Sequence, residues 1–485
     1  MTIKDLKPTL IWSIFDQITK VPRPSKKEDK IRKFLLDFAA AHNVAVKTDE
    51  VGNVVMSKPA TPGHEDAPTV ILQGHMDMVC ESNHKDFDFD NNPITTIIDG
   101  EWVHADGTTL GADNGIGMAA ALAVMADNTL EHGPVEALFT VDEETGMTGA
   151  NNLGADMMNG SILLNLDSED DGEIFIGCAG GVDTTITFDY KREMTPPEHH
   201  WFRIDLSQLS GGHSGGDIHE GRANSNKLLA RFLFNVMQKC SLSLSQISGG
   251  NLRNAIPRAA HAVFGVPVSQ KEEVIVIFNR FIAEVENEYK VTDPKATITI
   301  ESTDKPEVTI DCDTTCRLIR SLYACPHGVI SMSHELEGLV ETSTNLAAVK
   351  MQDNSSILIT TSQRSSVESR KWDIARQIEA LFLLAGAHVT HGDGYPGWQP
   401  NMNSTIMKIA GDAYEELYGV KPAIKAIHAG LECGLFLTKY PHLDMVSFGP
   451  TLRGVHSPSE KMHIPAVERF WNQLVLILKK VAELK

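Results

Sequence analysis

The 485-residue chain lacks the features that would send it to a membrane, to nucleic acid or to an oxidising compartment. No uninterrupted apolar run reaches the roughly 18 residues that a spanning helix requires. The opening stretch, Met1-Thr-Ile-Lys-Asp-Leu-Lys-Pro8, has no apolar core, so no signal peptide is expected. Basic residues are scarce: 43 Lys and Arg against 64 Asp and Glu leave a net charge of −21. Without a long Lys/Arg cluster the chain is a poor binder of phosphate backbones or anionic bilayers. Cysteines number seven, an odd count, and no C-x-x-C pair occurs. Scattered single thiols fit a reducing cytoplasm better than a disulfide framework. Cys312 and Cys316 have the spacing to share a helix face. Two thiolates do not complete a tetrahedral metal site, so both read as small buried hydrophobes. Internal repeats and low-complexity tracts are also missing.

What is present is ordinary globular material, with 42% hydrophobic and 22% charged residues. The length suggests two or three domains rather than one core. Ser25 and Glu28 have capping-box spacing, which predicts a helix starting there. Val70–Leu72, Val135–Phe139 and Ile162–Leu164 read as buried strands, and Gly115–Met125 as a helix. Alternating strands and helices predict a largely parallel sheet with helices on its faces. Gly-rich stretches at 177–181 and 392–397 bracket a change of texture. Between them lie half-exposed strands (Thr184–Phe188, Ala296–Ile300) and amphipathic helices (Asn226–Met237, Val274–Ala283), consistent with a second α/β domain. After residue 400 the first texture returns, with helices near 405–418 and 431–438 and strands near 423–427 and 445–448.

The polar groups fall in one kind of place. His75 and Asp77 follow the first strand, Asp113 precedes a helix, Glu143 and Glu144 follow the second strand, and Asp167 follows the third. His456 sits in a loop after the last. In an open α/β sheet, ligands bind beyond the carboxyl ends of the strands. One acid in such a loop is unremarkable, and H-x-D alone is a weak signal, but five connections aimed at one rim are hard to assign to chance. Crowded carboxylates repel unless a cation holds them. Two imidazoles among carboxylates favour zinc-like cations over calcium or magnesium. A bridging carboxylate would hold two such ions about 3.5–4 Å apart.

The stretches GHMDMV, GTTLGADNGIGMA, DEETGM, NLDSE, GGHSGGDIH, RNAIP, HAGLECGLF and HSPSE resemble those of the aminoacyl-histidine (cytosol non-specific) dipeptidases. This is a branch of the di-zinc family that includes aminoacylase and glutamate carboxypeptidase. The resemblance runs from about residue 10 to the C-terminus, with no departure at a motif position. It implies an α/β, mostly parallel-sheet di-zinc hydrolase core interrupted by an inserted α/β lid domain. The implied boundaries are 1–182 and 396–485 for the core and 183–395 for the lid. It further implies two Zn2+ per subunit, with Co2+ or Mn2+ as substitutes. His75 and Asp167 would hold one ion, Glu144 and His456 the other, and Asp113 would bridge. The catalytic residues would be Asp77, orienting His75 from behind, and Glu143, the general base. His213 would stabilise the oxyanion, and Asn254 and Arg364 would receive the substrate's carboxylate. A cytoplasmic homodimer joined through the lid is implied, acting on small dipeptides, Xaa-His dipeptides such as β-Ala-His among them.

Two other readings keep the same residues. An N-acyl-amino-acid amidohydrolase would use the same site on acylated substrates. A metal-stabilised binding protein without catalysis would have no need of a base that is not a ligand, yet Glu143 is present.

Overall fold

The computed structural model describes residues 2–353 and 355–484. These divide into two compact units. The first comprises 2–178, 398–426 and 431–484, and the second 179–397 and 427–430.

The first unit is built on an eight-stranded sheet. Its strands are β1 (Ala45–Thr48), β2 (Val54–Lys58), β3 (Val70–His75), β4 (Val135–Thr140), β5 (Ile162–Asn165), β6 (Glu173–Cys178), β7 (Ala423–Ile427) and β8 (Asp444–Ser447). In space they run β1-β2-β4-β3-β5-β8-β6-β7. The four central strands, β4, β3, β5 and β8, are mutually parallel. Antiparallel pairing flanks them at β1/β2, β2/β4 and β8/β6. Every residue of β3, β4 and β5 is buried. This accounts for their continuous apolar runs, because a parallel strand covered on both faces has no solvent side to alternate with.

Helices α1 (Thr9–Ile18), α2 (Ala112–Ala126), α3 (Thr405–Tyr418) and α4 (Ile464–Ala482) accompany the sheet. Helix α2 is buried almost throughout, and its small residues let it lie close to the strand ends. At Gly117 a Cβ would stand 2.5 Å from the Leu166 carbonyl, so only glycine fits.

The second unit carries a nine-stranded sheet. Its long strands, His199–Ser207, Ala260–Pro267, Val340–Gln352, Ser356–Ser365 and Gly180–Asp189, are paired antiparallel. Helices Ser225–Met237, Lys271–Tyr289, Cys312–Ala324 and Glu368–Leu384 complete it. Its core includes Phe202 and Phe264, stacked with ring centroids 5.5 Å apart, and Phe232 edge-on to Phe264.

Two sequence expectations fail here. No capping box forms at Ser25: the helix begins at Asp29, the Ser25 hydroxyl donates to Asp77, and Glu28 accepts the N–H groups of Lys26 and Asp142. Long-range partners take both side chains. Cys312 is exposed and Cys316 half-buried, because the helix opens at Cys312 and turns that face outward. All seven cysteines are free thiols. Among the described residues no helix is long and apolar enough to cross a membrane.

Candidate active site

The carboxyl ends of β3, β4, β5 and β8 bring together the groups the sequence singles out in the first unit. His75 is the last residue of β3 and is 1% exposed. Its Nε2 lies 3.0 Å from Asp113 Oδ1 and 3.4 Å from Asp167 Oδ1. His456, held in the left-handed region at φ 61°, places its Nε2 3.1 Å from Asp113 Oδ2 and 3.1 Å from Glu144 Oε2. Asp113 therefore offers one oxygen to each imidazole. Two nests of ligand-type atoms result: His75, Asp113 and Asp167 on one side, His456, Asp113 and Glu144 on the other. The exposed His456 faces solvent, while the opposite nest is enclosed.

These side chains are aimed by their local backbone. Asp113 and Asn114 depart from helical dihedrals inside the first turn of α2. Asp142, at φ 52°, reverses the chain after β4, and its carboxylate accepts from the hydroxyls of Thr145 and Thr148. Glu143 and Glu144 then open a four-residue helix. Asp77 ties this turn to β3. Its Oδ1 accepts the Glu143 N–H at 3.0 Å, and its Oδ2 accepts the Glu144 N–H at 3.2 Å and the Ser25 hydroxyl at 2.8 Å. The same Oδ1 stands 3.3 Å from His75 Nδ1, within ion-pair reach but without hydrogen-bond alignment. Glu28, Asp77 and Asp142 form a second close trio of carboxylates. Its oxygens are engaged by backbone N–H and hydroxyl groups, so it braces the turn instead of awaiting a cation.

The electrostatics are those of a cluster short of positive charge. Burial pushes Asp167 up to about 7, against the pull of His75. Burial also raises Glu143 well above its usual range; His75 opposes this, and the carboxylates of Asp167, Glu432 and Glu144 add to it. Burial opposes protonation of His75, but Asp167, Asp113 and Asp77 outweigh it and hold the imidazole well above normal. His456 reaches about 11 through its bonds to Asp113 and Glu144. Asp113 is held far below the carboxylate range by the two imidazoles, despite its burial.

Do these residues suit a metal? His75, Asp113 and Glu144 have ligand atoms within 4.8 Å of one another. Buried Glu144 Oε1 and Asp167 Oδ1 have no hydrogen-bond partner, a costly state unless something else coordinates them. Mixed nitrogen and oxygen donors match a zinc-type cation. The donor set fits.

The remaining sequence candidates lie in the second unit. His213 Nδ1 accepts the N–H groups of Gly215 and Gly216 at 3.2 and 2.9 Å. That fixes the neutral tautomer with hydrogen on Nε2. Burial, with help from the Arg364 guanidinium, keeps His213 below its usual value and so uncharged near neutrality. Arg364 is 8% exposed; its Nη1 donates to Tyr395 Oη at 2.9 Å, and its buried Nε has no partner. Asn254 is exposed, and its carbonyl accepts the Ser214 N–H at 2.8 Å, which pins the turn that carries His213.

Sequence reasoning gave no role to several groups that the structure places close by. Glu432 is buried beneath the first-unit site. Its Oε2 accepts from Gln73 Nε2 at 2.6 Å and Thr140 Oγ1 at 2.9 Å, and its Oε1 has no partner. Gln73 is joined in turn to Asn165, and Asn165 to Ser447, so a buried polar row crosses the ends of all four parallel strands. In the second unit, buried His428 accepts or donates at Ser343 Oγ, 2.7 Å away. Glu432 and His428 both lie in HAGLECG, so the signal was a motif with unassigned polar members.

Residues 71–480 match the family described as Peptidase family M20/M25/M40. Over 480 residues the chain is 42% identical to the cytosol non-specific dipeptidase of Escherichia coli K12, covering 99% of each. It superposes with a TM-score of 0.94 on the crystal structure of an aminoacylhistidine dipeptidase from Vibrio alginolyticus. That pair is 44% identical, covering 99% of this chain and 98% of the other. A tripeptidase from Staphylococcus aureus shares the fold at 16% identity and a TM-score of 0.58, with 99% and 100% coverage.

Proposed function

The chain belongs to peptidase family M20/M25/M40, and from that premise we propose that it is a di-zinc dipeptidase acting on dipeptides with free amino termini, Xaa-His among them. The observation that carries the proposal is the division of the Asp113 carboxylate between two nitrogen–oxygen nests, with Glu143 outside both. His75 and Asp167 would hold one ion, His456 and Glu144 the other, and Asp113 both. When bound, such a pair lowers the pKa of a water to about 7 and polarises a carbonyl.

The chain's own residues do the rest. Glu143 accepts the proton of the attacking water and returns it to the leaving amine; burial gives its carboxyl the raised proton affinity the task needs. Asp77 holds Glu143 and Glu144 by their backbone and faces the back of His75, keeping base and ligand in register. His213, neutral with hydrogen on Nε2, donates to the developing oxyanion. Arg364 and Asn254 receive the carboxylate of the second residue, which is what limits the substrate to two residues. Assembly as a homodimer through the second unit and a cytoplasmic location belong to the same proposal.

The test is a panel of free dipeptides, including β-Ala-His, set against N-acetyl amino acids, with chelated and zinc-reconstituted enzyme. Zinc-dependent hydrolysis of the dipeptides is expected. Full turnover after exhaustive chelation refutes the metal reading, and preference for the acetylated substrates makes the protein an amidohydrolase.

A further inference from the structure

Glu460 stands outside both nests of ligand atoms and is 2% exposed. Its carboxylate is surrounded by backbone. Oε2 accepts the N–H groups of Leu110 and Gly111 at 2.7 and 3.0 Å, and Oε1 those of Ala112 and Asp113 at 2.7 and 3.3 Å. Four consecutive N–H donors converge on one side chain roughly 350 positions away. A helix start commonly has one or two of its free N–H groups capped by a neighbouring side chain. Here the cap arrives from the loop that carries His456, and it covers the stretch ending at Asp113.

Arg23 supplies the complement. It is 2% exposed, and its Nη1 donates to the carbonyls of Asp77 and Met76 at 2.6 and 3.2 Å. Its Nη2 donates to the Gly111 carbonyl. The guanidinium thus joins the His75–Asp77 connection to the Asp113 turn through their C=O groups, while Glu460 joins the Asp113 turn to the His456 loop through N–H groups.

We infer that Glu460 and Arg23 are positioning residues of the proposed metal centre: a buried anion–cation brace, outside both nests of ligand atoms, that fixes the Asp113 turn against the loops bearing His75 and His456. The inference rests on the proposed metal-ligand set. Its physics is preorganisation. Asp113 is the shared ligand, so a small rotation of its peptide removes an oxygen from both nests at once. Charge-assisted bonds from four N–H groups make that rotation costly.

The experiment is calorimetric titration of Zn2+ into chelator-stripped full-length protein, read beside the circular dichroism and melting of the metal-free chain. Glu460→Gln keeps the size and one acceptor oxygen but opposes two N–H donors with an amide NH2. It should fold and lose about 10–100-fold in zinc affinity, the usual scale for groups behind a ligand. Because the brace acts through Asp113, the same change on an Asp113→Asn background should add less than about threefold. Wild-type affinity in Glu460→Gln overturns the inference, and so does an equal loss on both backgrounds. If Glu460→Gln does not fold, Arg23→Lys, which keeps the charge and loses the fork, is read by the same criteria. Failure of both to fold makes the pair structural only and overturns the positioning role. Absence of saturable zinc binding by the wild type is a separate outcome: it removes the metal site itself, and the brace with it.

Discussion

Replacing Asp77 by Asn keeps the shape and removes the charge. The carboxylate now serves four groups: the N–H of Glu143, the N–H of Glu144, the Ser25 hydroxyl and the flank of His75. An amide has one acceptor and one donor end. With its oxygen toward His75 and Glu143, its NH2 meets the Glu144 N–H, and a buried donor is left unpaired at a cost of about 1–3 kcal/mol. Turned the other way, the NH2 faces His75 Nδ1 and favours the tautomer with hydrogen on Nε2, the nitrogen aimed at Asp113 and Asp167. The first orientation loosens the nest that Glu144 serves, and the second the nest that His75 serves. Zinc affinity should fall about 10–100-fold, equivalent to roughly 1.4–2.8 kcal/mol. Calorimetry on metal-free protein measures this directly. Ser25→Ala is the control, because it removes one neutral donor and leaves the charge; a loss of about 0.5–1.5 kcal/mol is expected. Unchanged affinity in Asp77→Asn refutes the reasoning, and an equal loss in Ser25→Ala transfers the effect to the hydroxyl.

Glu143→Gln should retain zinc with wild-type stoichiometry while kcat drops about 10²–10⁴-fold, the worth of general acid–base catalysis; near-normal turnover removes the base. Arg364→Ala should reduce kcat/KM for an ordinary dipeptide by about 1.5–3 kcal/mol, roughly ten- to over a hundredfold, and cost a C-terminally amidated dipeptide little. Equal losses on acid and amide show that Arg364 does not read the carboxylate. Burial holds His327 at about 4 in the folded chain, against about 6.5 unfolded. Between those values the unfolded state binds the extra proton, so this contribution to stability is intact above pH 6.5 and shrinks as pH falls toward 4. Urea unfolding at pH 7 and pH 5 should show a smaller loss of stability in His327→Gln than in wild type; a larger loss contradicts the sign.

The central strands were legible because a strand buried on both faces must be written in apolar residues, as Val70–Leu72 and Ile162–Leu164 are. The candidate groups His75, Glu144 and Asp167 were legible because each closes or follows such a run, whereas their roles came only from the family resemblance. What the sequence concealed depends on partners far along the chain. Ser25 and Glu28 have the spacing of a local cap, yet Asp77 and the Asp142 N–H claim them. Glu432, Glu460 and Arg23 look like surface charges until the fold closes over them. The exposure of Cys312 follows from where its helix starts, and composition carries no trace of that.

The position of β8 sets an order of events during synthesis. Asp167 leaves the ribosome with the rest of the His75–Asp113 nest already made, whereas His456 follows roughly 290 residues later. At about 5–20 residues per second that interval is roughly 15–60 s. Most of it goes to making the second unit, and β5 waits with an unpaired edge where β8 will lie, since β8 pairs with β5 on one side and β6 on the other. The groups of the enclosed nest are therefore all made before the open one exists, and the last central strand to be translated completes the sheet shortly before the second imidazole follows.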